Sequence, residues 1–421
     1  MQHALRYIGG FERNFPGLTP ATTTFEGTDG KVHNYPEWPV SVNGLRISYM
    51  EKHGKKFCAV RVSDGVSDVV LKNEMVMVPG THFGFGVHLS SANPDQSTAS
   101  TPGVDQPPLV VGAVPYWDEQ EARATLDAHS HQIHVASPWS YAVAADGSVQ
   151  LQPDLKAANE QALTGHLHDL GIKVIPTVAD TTAGLWDPAT VSAVIKDPTR
   201  RGFHVQSILS LIQSNGFDGI QIDYEDLTPE DRSSFSAFVT DLGQAIHQAG
   251  KVLYVTVHVK EDDAGYDARN QSQDYAAIGN TADQVCLMAY DWHWSTGPSG
   301  PIAPYDWVDR VLRYSITQIP ANKLLLGVGL FGYDWVGTTA TNLTWSQIVA
   351  LAAQNRVDEA WDVGAQSPHF SYTLDGVHHD VWYENGRSAA AKFDLAKQYH
   401  LGGVELWRLG GEDPAVWVPG P

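Results

Sequence analysis

Ten residues near the middle of the chain, Gly216–Glu225, read GFDGIQIDYE and carry side chains suited to acid–base chemistry. Alternate side chains of a strand share one face, so Gln221, Asp223 and Glu225 are predicted to point together into the protein. Three inward polar groups are costly to bury unless they bond to one another or do chemistry. Two coupled carboxylates also tend to raise the pKa of the one that must donate a proton. The pattern indicates a catalytic acid, with a buried structural network as the alternative.

The elements that must position this segment alternate along the second part of the chain, as apolar strands and amphipathic helices. The candidate strands are Leu109–Val114, Ile133–Ala136, Lys173–Val178, Gly219–Tyr224, Val252–Val259, Gln284–Tyr290, Lys323–Leu330 and Gly403–Trp407. Their continuous apolar runs suit parallel strands that are buried on both faces. Eight such strands over roughly 310 residues predict an α/β fold of the (β/α)₈ TIM-barrel type. Barrel enzymes place catalytic groups at the C-terminal strand ends, and Glu225 lies at such an end.

The connection before the last candidate strand is long enough to hold a small domain. It contains a predicted helix near Thr344–Gln354, predicted strands at Phe370–Leu374 and Val377–Tyr383, and a predicted helix near Ser388–Tyr399. We therefore expect a small α/β insertion, at about residues 340–385, beside the mouth of the barrel.

The first part of the chain has a different composition. Residues 1–90 contain short β-rich runs separated by Gly, Asp and Asn turns, and they predict a small β-rich domain of unknown role. Residues 91–107 are rich in Ser, Thr and Pro and predict a linker. Residues 108–421 are then assigned to the barrel with its insertion.

Asp218–Glu225 resembles the strand-4 signature of glycoside hydrolase family 18, Asp-Gly-x-Asp-x-Asp-x-Glu. In that family the final Glu protonates the glycosidic oxygen. The preceding Asp orients the N-acetyl group of the substrate, whose carbonyl oxygen attacks the anomeric carbon. The resemblance implies that Glu225 is the acid/base and that Asp223 is the partner of the acetamide. It implies the substrate-assisted form of retaining hydrolysis, without a cofactor or a metal.

Two further segments resemble motifs of the same family. Cys286–Asp291 resembles the strand-6 motif Met-x-Tyr-Asp, which implies that Tyr290 stabilises the oxazolinium intermediate and that Asp291 contacts the sugar. Gly402–Trp407 resembles the strand-8 motif, which implies that Trp407 is the apolar floor of the reacting subsite.

Gln221 departs from the chitinase pattern, which has an Asp at this position. A neutral amide can hydrogen-bond to Asp223 but cannot share a proton with it. A neutral amide here is similar to the bacterial spore-cortex-lytic branch of the family, as are the segments Leu326–Trp335, Val381–Glu384 and Leu406–Gly410. The resemblance favours β-1,4 bonds next to N-acetylglucosamine in peptidoglycan. Alternatives are a chitinase, an endo-N-acetylglucosaminidase on another glycan, and a sugar-binding lectin without hydrolytic activity.

Several aromatic residues end or follow candidate strands and are candidates for further sugar contacts. These are Tyr116, Trp117, Trp139, Trp292 and Trp335. Sugar clefts are rich in aromatic side chains, although any single one is more often a core or rim residue. Gln221 is added to the substrate-binding set by its place on the predicted strand.

The composition excludes some classes of partner. The net charge of −21 repels phosphate backbones, so nucleic acid is not expected as a partner. No apolar run is long enough for a membrane helix, and no secretory signal is visible at the N-terminus. The resemblance nevertheless implies action outside the cytoplasm, at the cell wall or beyond it. The histidines His129, His131, His134, His166 and His168 are interpreted as solvated or capping groups rather than metal ligands. The oligomeric state is not indicated.

Overall fold

The structure is a computed structural model that describes residues 108–420 apart from 154, 183 and 419, together with five backbone strands between residues 21 and 71. Contacts divide the chain into two compact units, Met1–Ser97 and Thr98–Pro421. The strands of the first unit pair antiparallel in the order β1-β2-β3-β4-β5. They are β1 Ala21–Glu26, β2 Val32–Pro39, β3 Leu45–Lys52, β4 Lys55–Ser63 and β5 Asp68–Leu71. The predicted linker lies outside the described residues.

The second unit contains both the barrel and a smaller sheet. Its strands are β6 Leu109–Pro115, β7 Val135–Val143, β8 Val149–Leu151, β9 Lys173–Val174, β10 Thr177–Ala179, β11 Thr181–Thr182, β12 Leu185–Trp186, β13 Gly219–Asp223, β14 Val252–His258, β15 Gln284–Met288, β16 Leu324–Gly329, β17 Gly332–Val336, β18 Thr339–Leu343, β19 Ala360–Asp362, β20 Ser367–Leu374, β21 Val377–Tyr383 and β22 Gly403–Trp407. Its helices are α1 Glu119–His129, α2 Ala157–Asp169, α3 Pro188–Lys196, α4 Pro198–Asn215, α5 Arg232–Gln248, α6 Ala268–Ser272, α7 Tyr275–Thr281, α8 Tyr305–Gln318, α9 Trp345–Asn355 and α10 Gly386–Gln398.

Eight parallel strand positions close into a barrel. The order is β6, β7, β10, β13, β14, β15, β16 and β22, with β22 pairing with β6 and β10 pairing with both β7 and β13. The short β9 continues the third position by pairing with β7. The predicted TIM barrel with an insertion before its last strand is thus confirmed. The predicted third strand is interrupted at Ile175 and Pro176, because proline has no N–H to donate to a ladder.

The interior of the barrel changes character from one end to the other. Its lower layer is apolar, with Val111, Val135, Ile175, Tyr254, Cys286 and Leu325 packed together. Two residues further along the strands, the inward positions are polar, as at Ser137, Gln221 and Glu405. Two residues further again lie Trp139, Asp223 and Trp407, at the C-terminal ends. Because strand side chains alternate between the two faces, the inward polar residues lie toward the C-terminal end of the barrel.

The helices that flank β13 fix its ends. Helix α4 stops at Gly216, whose φ of 71° is left-handed and suits glycine. After β13, Thr228 and Asp231 form a reciprocal capping box at the turn that leads into α5. Helix α5 buries an apolar stripe made of Phe235, Phe238, Val239, Leu242 and Ile246. This stripe belongs to the large cluster between the sheet and the helices, so the strand is clamped from outside.

The insertion is an antiparallel sheet in the order β18-β17-β21-β20-β19, with α9 on one face. It begins at Gly332, earlier than the predicted residue 340, because the β17–β18 hairpin pairs with β21. A buried ion pair between Lys392 of α10 and Glu384, at 2.8 Å, lies where the sheet meets the barrel helices. Within the described residues, no helix is both long enough and apolar enough to cross a membrane.

Candidate active site

A cleft opens at the C-terminal mouth of the barrel. It is lined by Tyr116, Trp117, Trp139, Thr181, Gly184, Trp186, Glu225 and Trp407. Five of these side chains are aromatic, and a single carboxyl group, that of Glu225, faces them. Such a surface can pack against the C–H face of a sugar ring while one acid reaches a polar bond.

Gln221 lies below the cleft, 2 % exposed, at the centre of a hydrogen-bond network. Its Oε1 accepts from the Ser137 hydroxyl at 2.9 Å. Its Nε2 donates to Thr256 Oγ1 at 2.8 Å and to the Glu405 carboxylate at 2.8 and 3.1 Å. Both ends of the amide are therefore used by neighbouring strands. Gln221 supports the floor of the site and does not reach the cleft surface.

Asp223 is the next inward residue of β13, and it is 5 % exposed. Its Oδ2 accepts from the Trp139 indole N–H at 2.9 Å. Its Oδ1 is buried and has no hydrogen-bond partner. Burial, with the nearby Asp180 and Glu405 carboxylates, raises the pKa of Asp223 to about 7. One acceptor oxygen is thus desolvated and unused, which costs free energy unless a ligand supplies a donor.

Glu225 follows β13 and presents its carboxyl to the cleft. Its pKa is raised well above the usual value by desolvation, and then by the charges of Asp223 and Asp180. Its backbone is held on both sides. The N–H groups of Glu225 and Asp226 donate to the two oxygens of Asp180, at 3.1 and 3.0 Å, and the carbonyl of Glu225 accepts from His258 Nε2 at 2.9 Å. A proton can therefore stay on Glu225 at neutral pH, on a fixed support.

Tyr290 and Asp291 follow β15, next to the floor of the cleft. The Tyr290 side chain packs where Gly327 and Gly329 of β16 carry no Cβ, since a Cβ on these glycines would lie 3.1 Å from its ring and 3.2 Å from its own Cβ, respectively. Burial raises the pKa of the Tyr290 phenol, so it stays a hydrogen-bond donor. Asp291 has a left-handed φ of 57°, and its carboxylate accepts from the Tyr333 hydroxyl at 3.0 Å. Tyr290 and Trp407 pack against one cluster, which is made of Ile302, Phe331, Tyr333 and Trp335.

The structure brings some of the predicted aromatics together and leaves others apart. The Tyr116 and Trp117 rings lie 6.1 and 5.7 Å from that of Trp139 in the cleft wall. Trp292 is 37 % exposed but packs beside Tyr266 and Trp307, in a separate group. Trp335 does not reach the surface at all. It is 1 % exposed in β17, and its indole N–H donates to the Trp294 carbonyl at 3.3 Å, so its predicted contact with sugar is wrong.

Three residues that support or line the site were missed by the sequence analysis: Asp180, Trp186 and Glu405. Asp180 directly follows the short strand β10 and belongs to no motif. Trp186 lies on the β11–β12 hairpin, which comprises only four paired residues. Glu405 lies within the strand-8 motif, but its partner Gln221 is 184 residues away in sequence. An inward polar residue on each of two barrel strands is the signal that could have suggested that last pair.

His134 and His168 lie away from the cleft. His168 bonds to Asp218 at 2.9 Å, and His134 accepts from the N–H of Val110 at 3.1 Å, both at the opposite end of the strands. Among residues 108–420 as described, no group of three or more His, Cys, Asp or Glu residues could hold a metal ion.

Comparison with known proteins finds one family model and several similar proteins. The family model described as "Glycosyl hydrolases family 18" matches residues 113–412. The putative sporulation-specific glycosylase YdhD of Bacillus subtilis is 30 % identical over 294 residues, 67 % of this chain and 67 % of that protein. Among solved structures, a chitinase from Chromobacterium violaceum is 30 % identical, with a TM-score of 0.69 over 74 % of this chain and 97 % of that one. The Bacillus cereus spore cortex-lytic enzyme SleL is 26 % identical, with a TM-score of 0.67 over 74 % and 73 % of the two chains.

The matched region contains the whole cleft together with Asp223 of β13 and Glu225 just after it. A barrel, an aromatic cleft, and an acid whose pKa is raised beside a second carboxyl group suit the hydrolysis of a glycan. On these grounds the chain belongs to glycoside hydrolase family 18, and it is a glycoside hydrolase.

Proposed function

We propose that the chain hydrolyses β-1,4 bonds next to N-acetylglucosamine, with retention of configuration and with participation of the substrate acetamide. The observation that carries the proposal is the unpartnered Oδ1 of Asp223, buried beside an acid that faces the cleft. A carboxylate oxygen in that position needs a donor, and the N–H of an acetamide at the reacting sugar would supply one.

In the first step, Glu225 donates its proton to the glycosidic oxygen as the bond from that oxygen to the anomeric carbon breaks. The acetamide carbonyl oxygen forms a bond to the same carbon, which gives a cyclic oxazolinium ion. The raised pKa of Glu225 keeps the proton available at neutral pH. The leaving sugar departs as a neutral alcohol.

Asp223 acts on the acetamide in this step. Its free oxygen accepts the acetamide N–H, while the bond from Trp139 holds the other oxygen at 2.9 Å. The negative charge then stabilises the positive charge that develops on the ring nitrogen. The Tyr290 hydroxyl is the further donor expected near the acetamide. Trp407, at the end of β22, packs against the apolar face of the reacting sugar.

In the second step, water attacks the anomeric carbon and opens the oxazolinium ring. The Glu225 carboxylate takes the proton of that water and returns to its starting state. Two inversions at one carbon leave the product with the configuration of the substrate.

For the substrate, we propose peptidoglycan or its fragments, acted on outside the cytoplasm. The support is the likeness to a sporulation-specific glycosylase and to a spore cortex-lytic enzyme, together with the amide at position 221. Chitin is the second candidate, because a chitinase of similar sequence identity superposes over an equal share of the chain, 74 %.

One experiment separates these substrates and tests the acid. Wild-type protein and Glu225→Gln are incubated with intact peptidoglycan, cortex fragments and N-acetylglucosamine oligomers, and the products are identified by mass spectrometry. We expect new reducing ends at N-acetylglucosamine from the wild type, with turnover at least 10²-fold lower in the variant. Equal turnover by the two proteins would refute the role of Glu225. Cleavage of the oligomers alone would favour chitin.

A further inference from the structure

Asp180 is a buried carboxylate at the end of β10, with 0 % exposure. Its strand pairs with β13, with Ala179 opposite Asp223. Its Oδ1 accepts a hydrogen bond from the N–H of Glu225 at 3.1 Å, and its Oδ2 accepts one from the N–H of Asp226 at 3.0 Å. No residue type other than Asp or Glu could accept from two adjacent peptide groups with two equivalent oxygens.

This carboxylate is unusual because it is buried without a cation among the groups that act on it. Burial raises its pKa to about 6, and the two backbone N–H groups oppose that rise. A neutral side chain would avoid the cost of burying a charge. Retaining a carboxylate here indicates that its charge, and not only its shape, serves the neighbouring acid.

We propose that Asp180 is the positioning residue of the catalytic acid: it fixes the peptide groups around Glu225 and supplies the third carboxylate of the site, which Gln221 does not. This inference rests on the proposed role of Glu225 as acid/base. The third acid of the chitinase signature lies on the same strand as the catalytic Glu. In this chain it comes from the neighbouring strand.

The positioning follows from three hydrogen bonds to the peptide groups on either side of the Glu225 Cα. The peptide between Glu225 and Asp226 donates its N–H to Asp180 and accepts from His258 on its carbonyl. The preceding N–H is bound to Asp180 as well. With its peptide groups held on both sides of the Cα, the side chain of Glu225 is directed to the cleft from a rigid base.

The charge acts on the same proton. Six charged or titratable groups face Glu225. They are Asp223 on β13, Asp180 after β10, Asp226 directly after Glu225 in the chain, Arg269 on α6, His258 on β14 and Tyr290 after β15. The three carboxylates raise the pKa of Glu225, and only Arg269 lowers it. Burial lowers the pKa of His258 and raises that of Tyr290, so both are neutral near pH 7. Removing the Asp180 charge therefore lowers the pKa of Glu225.

The test is Asp180→Asn, which keeps the size of the side chain and one acceptor oxygen but removes the charge. Activity on N-acetylglucosamine oligomers is measured across pH. We expect kcat to fall about tenfold with KM nearly unchanged, and the alkaline limb of kcat/KM to move about one unit toward lower pH. The matched control is Asp187→Asn, which also replaces a carboxylate by an amide in the same connection but keeps an acceptor oxygen for the N-cap of α3. It should leave the pH profile in place.

An Asp180→Asn profile that coincides with the wild type would overturn the proposal, as would an equal shift in Asp187→Asn. Should the Asn variant fail to fold, Asp180→Ser provides the same readout with a smaller neutral acceptor. Failure of the proposed function would look different. In that case the wild type and Glu225→Gln would have the same activity on every glycan, whatever Asp180 does.

Discussion

Replacing Gln221 by Glu tests whether a neutral amide is required beneath the site. The change keeps the size of the side chain but exchanges Nε2 for an oxygen. That nitrogen donates to Glu405 at 2.8 and 3.1 Å, with Gln221 2 % and Glu405 5 % exposed. The hydrogen bond from residue 221 to Glu405 would therefore be replaced by two carboxylates that face each other at the same separation.

The cost can be bounded from these distances. Two unit charges about 3 Å apart, at an effective dielectric of about 20, repel by about 5 kcal/mol. Uptake of one proton relieves this repulsion and limits the penalty. For a carboxyl with an unfolded pKa of about 4.3, that uptake costs about 1 kcal/mol near pH 5 and about 4 kcal/mol near pH 7. In the folded variant the pKa of this carboxyl is raised above its unfolded value. The loss of unfolding free energy is therefore small below about pH 4 and grows as the pH rises. It becomes constant above the folded-state pKa.

The assay is denaturant unfolding of the wild type and of Gln221→Glu at about pH 5 and about pH 7. We expect the stability deficit to be about 3 kcal/mol larger at the higher pH, from the difference in proton-uptake cost. The double variant Gln221→Glu/Glu405→Gln restores one donor and one carboxylate, so most of the deficit should disappear. A deficit that is equal at both pH values, or that persists in the double variant, would refute the reasoning.

Three further predictions concern activity. Asp223→Asn should lower kcat by about 10²-fold or more, with oligosaccharide affinity in calorimetry largely kept, and a matching loss of affinity would contradict its role at the acetamide. The acidic limb of kcat/KM should fall near pH 7, where Asp223 ionises in the free enzyme, and not near 4 as for an ordinary carboxyl. Trp186→Ala should raise KM about tenfold, a loss of about 1.4 kcal/mol, whereas Trp335→Phe should lower the thermal midpoint without changing KM. A raised KM for Trp335→Phe, with an unchanged KM for Trp186→Ala, would contradict the placement of Trp186 in the cleft and of Trp335 in the core.

The barrel could be predicted because its strands are continuous apolar runs with helices between them. Asp223 and Glu225 could be predicted to lie together because alternate residues of an extended segment share a face, whatever surrounds them. Both inferences use local order in the sequence. The strand bounds accordingly agree within a few residues for most of the barrel.

The parts that escaped prediction depend on contacts between distant segments. Asp180 is 45 residues before Glu225, and its partners are backbone groups, so nothing in the sequence marks the pair. Trp335 was expected to contact sugar because it follows a barrel strand. It is buried because the insertion sheet begins earlier than predicted and places it in β17, where its indole reaches Trp294. The sequence does not show which face of an unrecognised strand will be covered.

The central claim is retention through the substrate acetamide, and the anomeric form of the first product tests it most directly. N-acetylglucosamine oligomers are cleaved in an NMR tube, and the anomeric proton of the new reducing end is followed before mutarotation. We predict that the β-anomer appears first. Initial formation of the α-anomer would mean direct attack by water with inversion, and it would contradict the assignment of Asp223 and Glu225.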